Sequence, residues 1–494
     1  MTGTLEKASA AAPWSITAKA LRFALSLATS MVVVRLLPAY DYGVLAIVRT
    51  AIAFVAALVG AGMGNALIRY LPERRAAGRE AAGLLRFCGG AQAAGWILFV
   101  LIAWLLRDRV DALYGSPLGT PLLAGAAFLS GNLLFTMAAN GLTATFRTRR
   151  LAVLQGISSL AVLLLSYAAL RAGWGVVGVL GAASLPYLLL GVWELPRLFR
   201  SFPGESAPGE HARILRFALP LALIEVLNLI TWRQSETLLL GHYRTPVEAG
   251  IFDIAYRLPQ ILLEFVPETI WPLVLAAFVE VYTRDRRKVS AMIRHYFRLL
   301  FFLVTPITLF GALYGDILIQ TLYGAERAAS GPYARIFFAI FHLSFFGTPF
   351  SMALYLIEKT WVNLVLSAVF AVVNLGLDFI LIPRYGLIGA VPPVAIAVAI
   401  SPILRAWAVR RFHGSIPIPW RFLGRCYLAS APILLLYPMR AWAGSASGFL
   451  ALALVSVVLF FVAIRVVRLV GPEEQALLER SRLPGKDVWR RWFY

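Results

Sequence analysis

The sequence predicts an all-α polytopic membrane protein of fourteen transmembrane helices, built as two six-helix bundles plus two C-terminal helices. Three observations predict it. Of the 494 residues, 60% are hydrophobic and 14% charged, against roughly 45 to 50% and about 25% in soluble domains, and the mean hydropathy is +0.76. Fourteen apolar stretches reach the length of about 20 residues that a bilayer core of about 30 Å requires. Basic residues fall on alternate sides of these stretches, as cytoplasmic enrichment of Lys and Arg demands. A soluble enzyme, a secreted disulfide scaffold and a disordered tail are all disfavoured.

The first six spans cover residues 14–36, 43–68, 87–106, 121–146, 151–170 and 176–195. Residues 1–13 carry neither an Arg-rich leader nor a cleavage site, so the first span reads as retained. The next six cover 217–240, 250–278, 299–319, 336–357, 361–382 and 387–404, and two more cover 422–439 and 448–464. One set of alternate loops, with both termini, carries 32 Lys and Arg and the other set nine. A missed or invented helix would scramble this ratio, so both ends are expected in the cytoplasm. The net charge of +21 comes from these short loop clusters and not from a continuous stripe, which argues against nucleic acid as a partner. Cys88 and Cys426 have no metal-spaced companions, and the five histidines stand apart in the sequence.

The chain repeats itself. Tyr42-Gly43-Val44-Leu45 after the first span matches Ala249-Gly250-Ile251-Phe252 after the seventh, an offset of 207, and Trp174-Gly175-Val176-Val177-Gly178 matches Tyr385-Gly386-Leu387-Ile388-Gly389, an offset of 211. Near-equal offsets imply two bundles in the same orientation. The expected division is 1–200 for helices 1–6, 201–412 for helices 7–12 and 413–494 for helices 13–14 with a basic cytoplasmic tail. A match of Leu21-Arg22-Phe23-Ala24-Leu25 with Leu215-Arg216-Phe217-Ala218-Leu219 has a discordant offset of 194 and reads as chance.

Charges inside lipid are costly, about 2.5 to 3.5 kcal/mol each on insertion scales, so those retained mark cavities or partners. The eighth span carries Asp253, Arg257, Gln260, Glu264 and Glu268 on one helical face, the seventh Glu225, Asn228, Trp232 and Glu236 with Arg233 beside them, and the eleventh Asn363, Ser367, Asn374 and Asp378. The first bundle is basic, with Lys19, Arg22 and Arg49 and no carboxylate well inside it, while Asn132, Thr136, Asn140 and Thr143 form a neutral polar stripe on its fourth helix. That stripe serves either sugar hydroxyls or neighbouring helices.

Fourteen helices as six plus six plus two, the Arg35-Leu36-Leu37-Pro38 to Tyr42-Gly43 turn and the Tyr385-Gly386-Leu387-Ile388-Gly389 opening of the twelfth helix resemble the Wzx-type oligosaccharide flippases. These form the polysaccharide-transport branch of the multidrug/oligosaccharidyl-lipid/polysaccharide (MOP) exporter superfamily. The resemblance covers the whole chain. It implies two lobes in a V around a central cavity, the bacterial inner membrane, and movement of an undecaprenyl-diphosphate-linked glycan between leaflets, with a polymerase or glycosyltransferases as further partners. Arginine pairs phosphate oxygens in a bidentate fork and stays charged in low dielectric. Arg22 is therefore expected as an inner diphosphate station, and Arg49 with Arg257 as outer stations, with Arg233 nearby. Asp253 four residues before Arg257 offers the alternative of an intrahelical ion pair, and Lys19 is placed to snorkel. Asn132, Asn140, Asn228, Trp232 and Gln260 are candidate sugar contacts.

Asn374 and Asp378, one turn apart, with Glu236 at similar depth, resemble the sodium site of the related lipid II flippases. Pro392 and Pro393 are expected to free carbonyls near Ile388 and Gly389 for the same site. Glu225 or Glu264 is an alternative proton carrier, and sodium or protons are equally open as the driving ion. No cofactor is expected. The phosphate loop of nucleotide hydrolases, a nucleophile elbow and a zinc motif are all missing. The competing readings are a drug/cation antiporter of the same superfamily, which a carboxylate-rich cavity with few arginines would favour, a membrane glycosyltransferase or polymerase, and a non-transporting scaffold.

Overall fold

The computed structural model describes residues 2–76, 81–145, 147–201, 210–232, 235–285 and 288–469. Among them the fold is helical and no strand occurs. The chain opens with α1 (Thr2–Leu36), α2 (Ala39–Ala56), α3 (Gly62–Ala76), α4 (Ala82–Tyr114), α5 (Gly119–Ala144), α6 (Thr148–Arg171) and α7 (Gly175–Arg200). It continues with α8 (Glu210–Trp232), α9 (Ser235–Tyr243), α10 (Pro246–Arg284), α11 (Val289–Tyr323), α12 (Gly331–Leu356), α13 (Thr360–Tyr385), α14 (Val391–Phe412), α15 (Trp420–Ser430) and α16 (Ala446–Val466). These sixteen segments make the fourteen expected spans, because α2 and α3 share the second and α8 and α9 share the seventh. Eleven described stretches are long and apolar enough to cross a membrane, one of which, Trp361–Phe412, contains two spans.

The irregular pieces have local causes. A π turn at Ala57–Ala61 joins α2 to α3, beside Gly62, where a methyl group would sit 2.2 Å from the carbonyl oxygen of Ala218 on α8. The thirteenth span, read from sequence as one helix, is α15 continued by a 3₁₀ stretch, Ala431–Gly444. Pro432 and Pro438 lack the N–H that an α-helix would use there. The opening of the twelfth span is likewise a 3₁₀ turn, Gly386–Ala390.

The described residues fall into two compact units, Met1–Asp253 with Ser367–Pro393, and Ile254–Leu366 with Val394–Tyr494. In the first, α5 is central, packed on α7, α4, α3 and α2. A methyl on Gly131 would stand 2.7 Å from the Ser184 carbonyl oxygen, and the Ser184 hydroxyl donates to the Ala127 carbonyl at 2.7 Å; such small-residue contacts draw membrane helices together. In the second, α11 and α12 pair around buried Phe297, Phe301, Phe337 and Phe338. His342, isolated in the sequence, is buried there with its ring nitrogens 3.0 Å from the Thr308 hydroxyl and 2.7 Å from that of Tyr427.

The repeat closes on itself in the first unit. The equivalent glycines Gly43 and Gly250 meet where α2 and α10 begin, and a methyl on Gly43 would fall 1.7 Å from the Pro246 carbonyl oxygen. Beside this crossing the buried Tyr42 hydroxyl donates to Asp253 Oδ2 at 2.5 Å. Tyr42→Phe is expected to lower stability by about 1 to 3 kcal/mol, the range for losing a hydrogen bond to a charged or buried group, read by thermal unfolding in detergent. Gly43→Val should cost more than Tyr42→Phe, since its side chain overlaps backbone and not a movable side chain.

Candidate functional site

Helix α13 places Asn374 and Asp378 on one face, one turn apart, and α9 places Glu236 in its first turn opposite them. All three are buried, with exposures of 0%, 0% and 1%. The Asn374 carboxamide is the hub: its Nδ2 donates to Glu236 Oε1 at 2.9 Å, to Asp378 Oδ2 at 3.1 Å and to the Ile230 carbonyl at 3.3 Å. The Ile230 carbonyl also accepts from the Ser235 hydroxyl at 3.1 Å, so α8 and α9 both border the cluster. Glu236 Oε2, Asn374 Oδ1 and Asp378 Oδ1 are buried without a hydrogen-bond partner. Two carboxyl groups around one amide donor, with three oxygens left over, form a set that suits a hard cation or a proton. Among the described residues no group of three His, Cys, Asp or Glu side chains stands ready for a metal.

The turn expected to supply carbonyl ligands makes polar bonds of its own. The Ile388 carbonyl accepts from the Val391 N–H in a 3₁₀ turn that begins eight residues beyond Asp378. Its polar partner is a different carboxylate, Glu248, whose Oε2 accepts from the Leu387 N–H at 3.1 Å. Arg244 donates to the Pro383 carbonyl at 2.9 Å beside it.

Of the expected phosphate contacts, Arg22 on α1 is exposed, while Arg49 on α2 is half-buried. Arg257 is half-buried in the second unit. Arg233 lies outside the described residues, as do the side chains of Trp232 and Glu268. Within the second unit, Gln260 donates to Glu264 at 3.1 Å, and Asn363 bonds the Ser351 carbonyl at 3.4 Å. Glu225 and Asn228 are half-buried on α8. On α5, Asn132 accepts from Thr136 at 3.5 Å, and Thr143 bonds its own helix. Asn140 abuts Gly64 of α3, where an added methyl would stand 2.5 Å from its Nδ2, so part of this stripe serves helix packing.

A buried acid at the end of the first bundle adds to the expected set. Glu194, 2% exposed, pairs with Arg150 at 2.7 Å. Its position one residue inside the sixth span had placed it at the helix end, and the base-rich loop of Arg147, Arg149 and Arg150 was the available signal.

A family model described as "Polysaccharide biosynthesis protein" matches residues 32–330. The chain belongs to this family. Its fold is that of solved MOP-superfamily proteins. A structure described as "Lipid II flippase MurJ, inward closed conformation" aligns with a TM-score of 0.71 and 13% identity over 90% of this chain and 96% of that one. An inward-facing multidrug resistance MATE transporter of the MOP superfamily gives 0.64 and 17%, over 81% and 98%. A MOP-superfamily transporter from Pyrococcus furiosus gives 0.54 and 17%, over 81% and 94%. No curated protein sequence matches the chain. The polysaccharide-biosynthesis family and the fold together bear out the resemblance read from the sequence and establish a multi-pass membrane protein.

For this family member, Arg150→Ala should destabilise by about 1 to 3 kcal/mol, because it strands the buried Glu194 carboxylate. The double variant Arg150→Ala with Glu194→Leu should recover most of that loss in a thermal unfolding cycle.

Proposed function

We propose that this protein is a flippase, not an enzyme, that carries an undecaprenyl-diphosphate-linked oligosaccharide repeat unit from the cytoplasmic to the outer leaflet of a bacterial inner membrane by alternating access. The observation that carries the reading is the pairing of a polysaccharide-biosynthesis family match with a MOP fold whose first bundle keeps Arg22 and Arg49 in its helices. In this reading the two arginines take the diphosphate in turn, Arg22 on the cytoplasmic side and Arg49 farther out, with Arg257 and Arg233 contributing from the second bundle. Asn132, Asn140, Asn228, Trp232 and Gln260 contact the sugars. The bundles 1–200 and 201–412 act as the moving lobes, and residues 413–494 follow them. Both termini face the cytoplasm, where a polymerase or glycosyltransferase can dock.

The cluster of Glu236, Asn374 and Asp378 couples transport to sodium or protons, with Glu225 and Glu264 as further proton acceptors. Support comes from its burial and its three unpartnered oxygens. An ion bound there in one state and released in the other contributes only its differential affinity to the cycle.

Two experiments test this. Arg22→Ala or Arg49→Ala at normal protein abundance should abolish surface glycan and leave lipid-linked repeat units in the inner leaflet, and full complementation by both variants removes the phosphate stations. In vesicles, Asp378→Asn should slow flipping and flatten its response to a sodium or pH gradient; an unchanged response takes Asp378 out of coupling.

A further inference from the structure

The second unit contains a cavity of about 670 Å³ with a mixed polar and apolar lining that includes Asp316, Gln320 and Thr321 of α11 and Arg440, Ala443 and Gly444 of the 3₁₀ stretch. It lies at the base-poor ends of these helices, the side that the charge alternation assigns to the outside. Irregular backbone at membrane depth is tolerated where it is buried in protein or lines a wet cavity, and the 3₁₀ stretch Ala431–Gly444 borders this one.

The cavity holds one charge of each sign. The Arg440 guanidinium pairs with Asp316 and donates to the Leu313 carbonyl at 3.1 Å, with the Tyr437 ring 5.7 Å away. The pair is mostly enclosed, at 28% and 15% exposure. Asp316 is held close to the start of α12, where a methyl on Gly331 would fall 2.6 Å from its Cβ; the N-terminal end of a helix favours a carboxylate. One oxygen, Asp316 Oδ1, is buried with no hydrogen-bond partner.

A purely anionic ligand would meet Asp316 and a purely cationic one Arg440. The complement to both, with an N–H donor for the unpartnered Oδ1, is a phosphate ester carrying a primary ammonium. Trp442, between the lining residues Ala441 and Ala443, is 70% exposed, and Leu435 and Leu450 are 75% and 62% exposed. An exposed tryptophan on a membrane helix marks headgroup level, and the leucines offer an apolar flank for acyl chains. We propose that this cavity binds the phosphoethanolamine headgroup of a membrane phospholipid, phosphate at Arg440 and ammonium at Asp316 Oδ1. The proposal does not depend on what the protein carries.

The test uses the full chain reconstituted with dioleoyl phosphatidylethanolamine, phosphatidylcholine or phosphatidylglycerol, with retained lipids counted by native mass spectrometry. The wild type should retain phosphatidylethanolamine over phosphatidylcholine, which has no N–H to donate, by about tenfold, the ratio of one charge-assisted hydrogen bond. Asp316→Asn should erase that preference. Soluble glycerophosphoethanolamine is the second probe: failure to displace the lipid supports the phospholipid as occupant, and displacement at equal concentration overturns the lipid in favour of a free ester. Equal retention of phosphatidylethanolamine and phosphatidylcholine by the wild type overturns the site, whatever the variant does.

Discussion

Two carboxyl groups share a single amide donor at the buried meeting point of α8, α9 and α13, and the arrangement around them follows from that shortage. Asn374 satisfies one oxygen of Glu236 and one of Asp378, which leaves the second oxygen of each and its own Oδ1 buried without a hydrogen-bond partner. A site of this kind is stable only when a proton or a cation supplies the missing charge. The cluster draws its members from helices that are distant in sequence.

The same unit gathers the predicted outer ends of both repeats. Gly43 and Gly250 allow backbone to approach backbone where a side chain would not fit, and the crossing buries Tyr42 against Asp253. Glu248 and Arg244 then tie the start of α10 and the end of α9 to the turn at Gly386. Two segments that align as repeats in the sequence are thus in contact, with an acid on one side and a phenol on the other.

Span positions were legible in the sequence because lipid imposes a length and a charge alternation that few other constraints mimic. Asn374, Asp378 and Glu236 were legible for a related reason, since polar residues on one helical face inside lipid have few roles. Other features depended on geometry that periodicity does not carry. The Ile388 carbonyl was expected near the ion site, and the structure adds what the sequence did not show, a 3₁₀ turn in which that carbonyl accepts the Val391 N–H and the Leu387 N–H donates to Glu248. Glu194 stood at a predicted span end and is in fact buried against Arg150. Asn140 reads from sequence as a sugar contact or a packing residue, and only the close approach of Gly64 brings out its packing side. The Asp316 and Arg440 cavity pairs residues 124 apart in sequence, each of which alone reads as an interfacial charge.

The central claim is that the Asn374 hub is an ion site, and the most direct measurement is the thermal stability of the purified protein across a matrix of sodium concentration and pH. The account predicts a saturable stabilisation by sodium, or by protons, with the two competing, and no such competition once Asn374 is replaced by leucine. A wild-type melting temperature that responds identically to sodium and potassium and shows no competition with pH would contradict it.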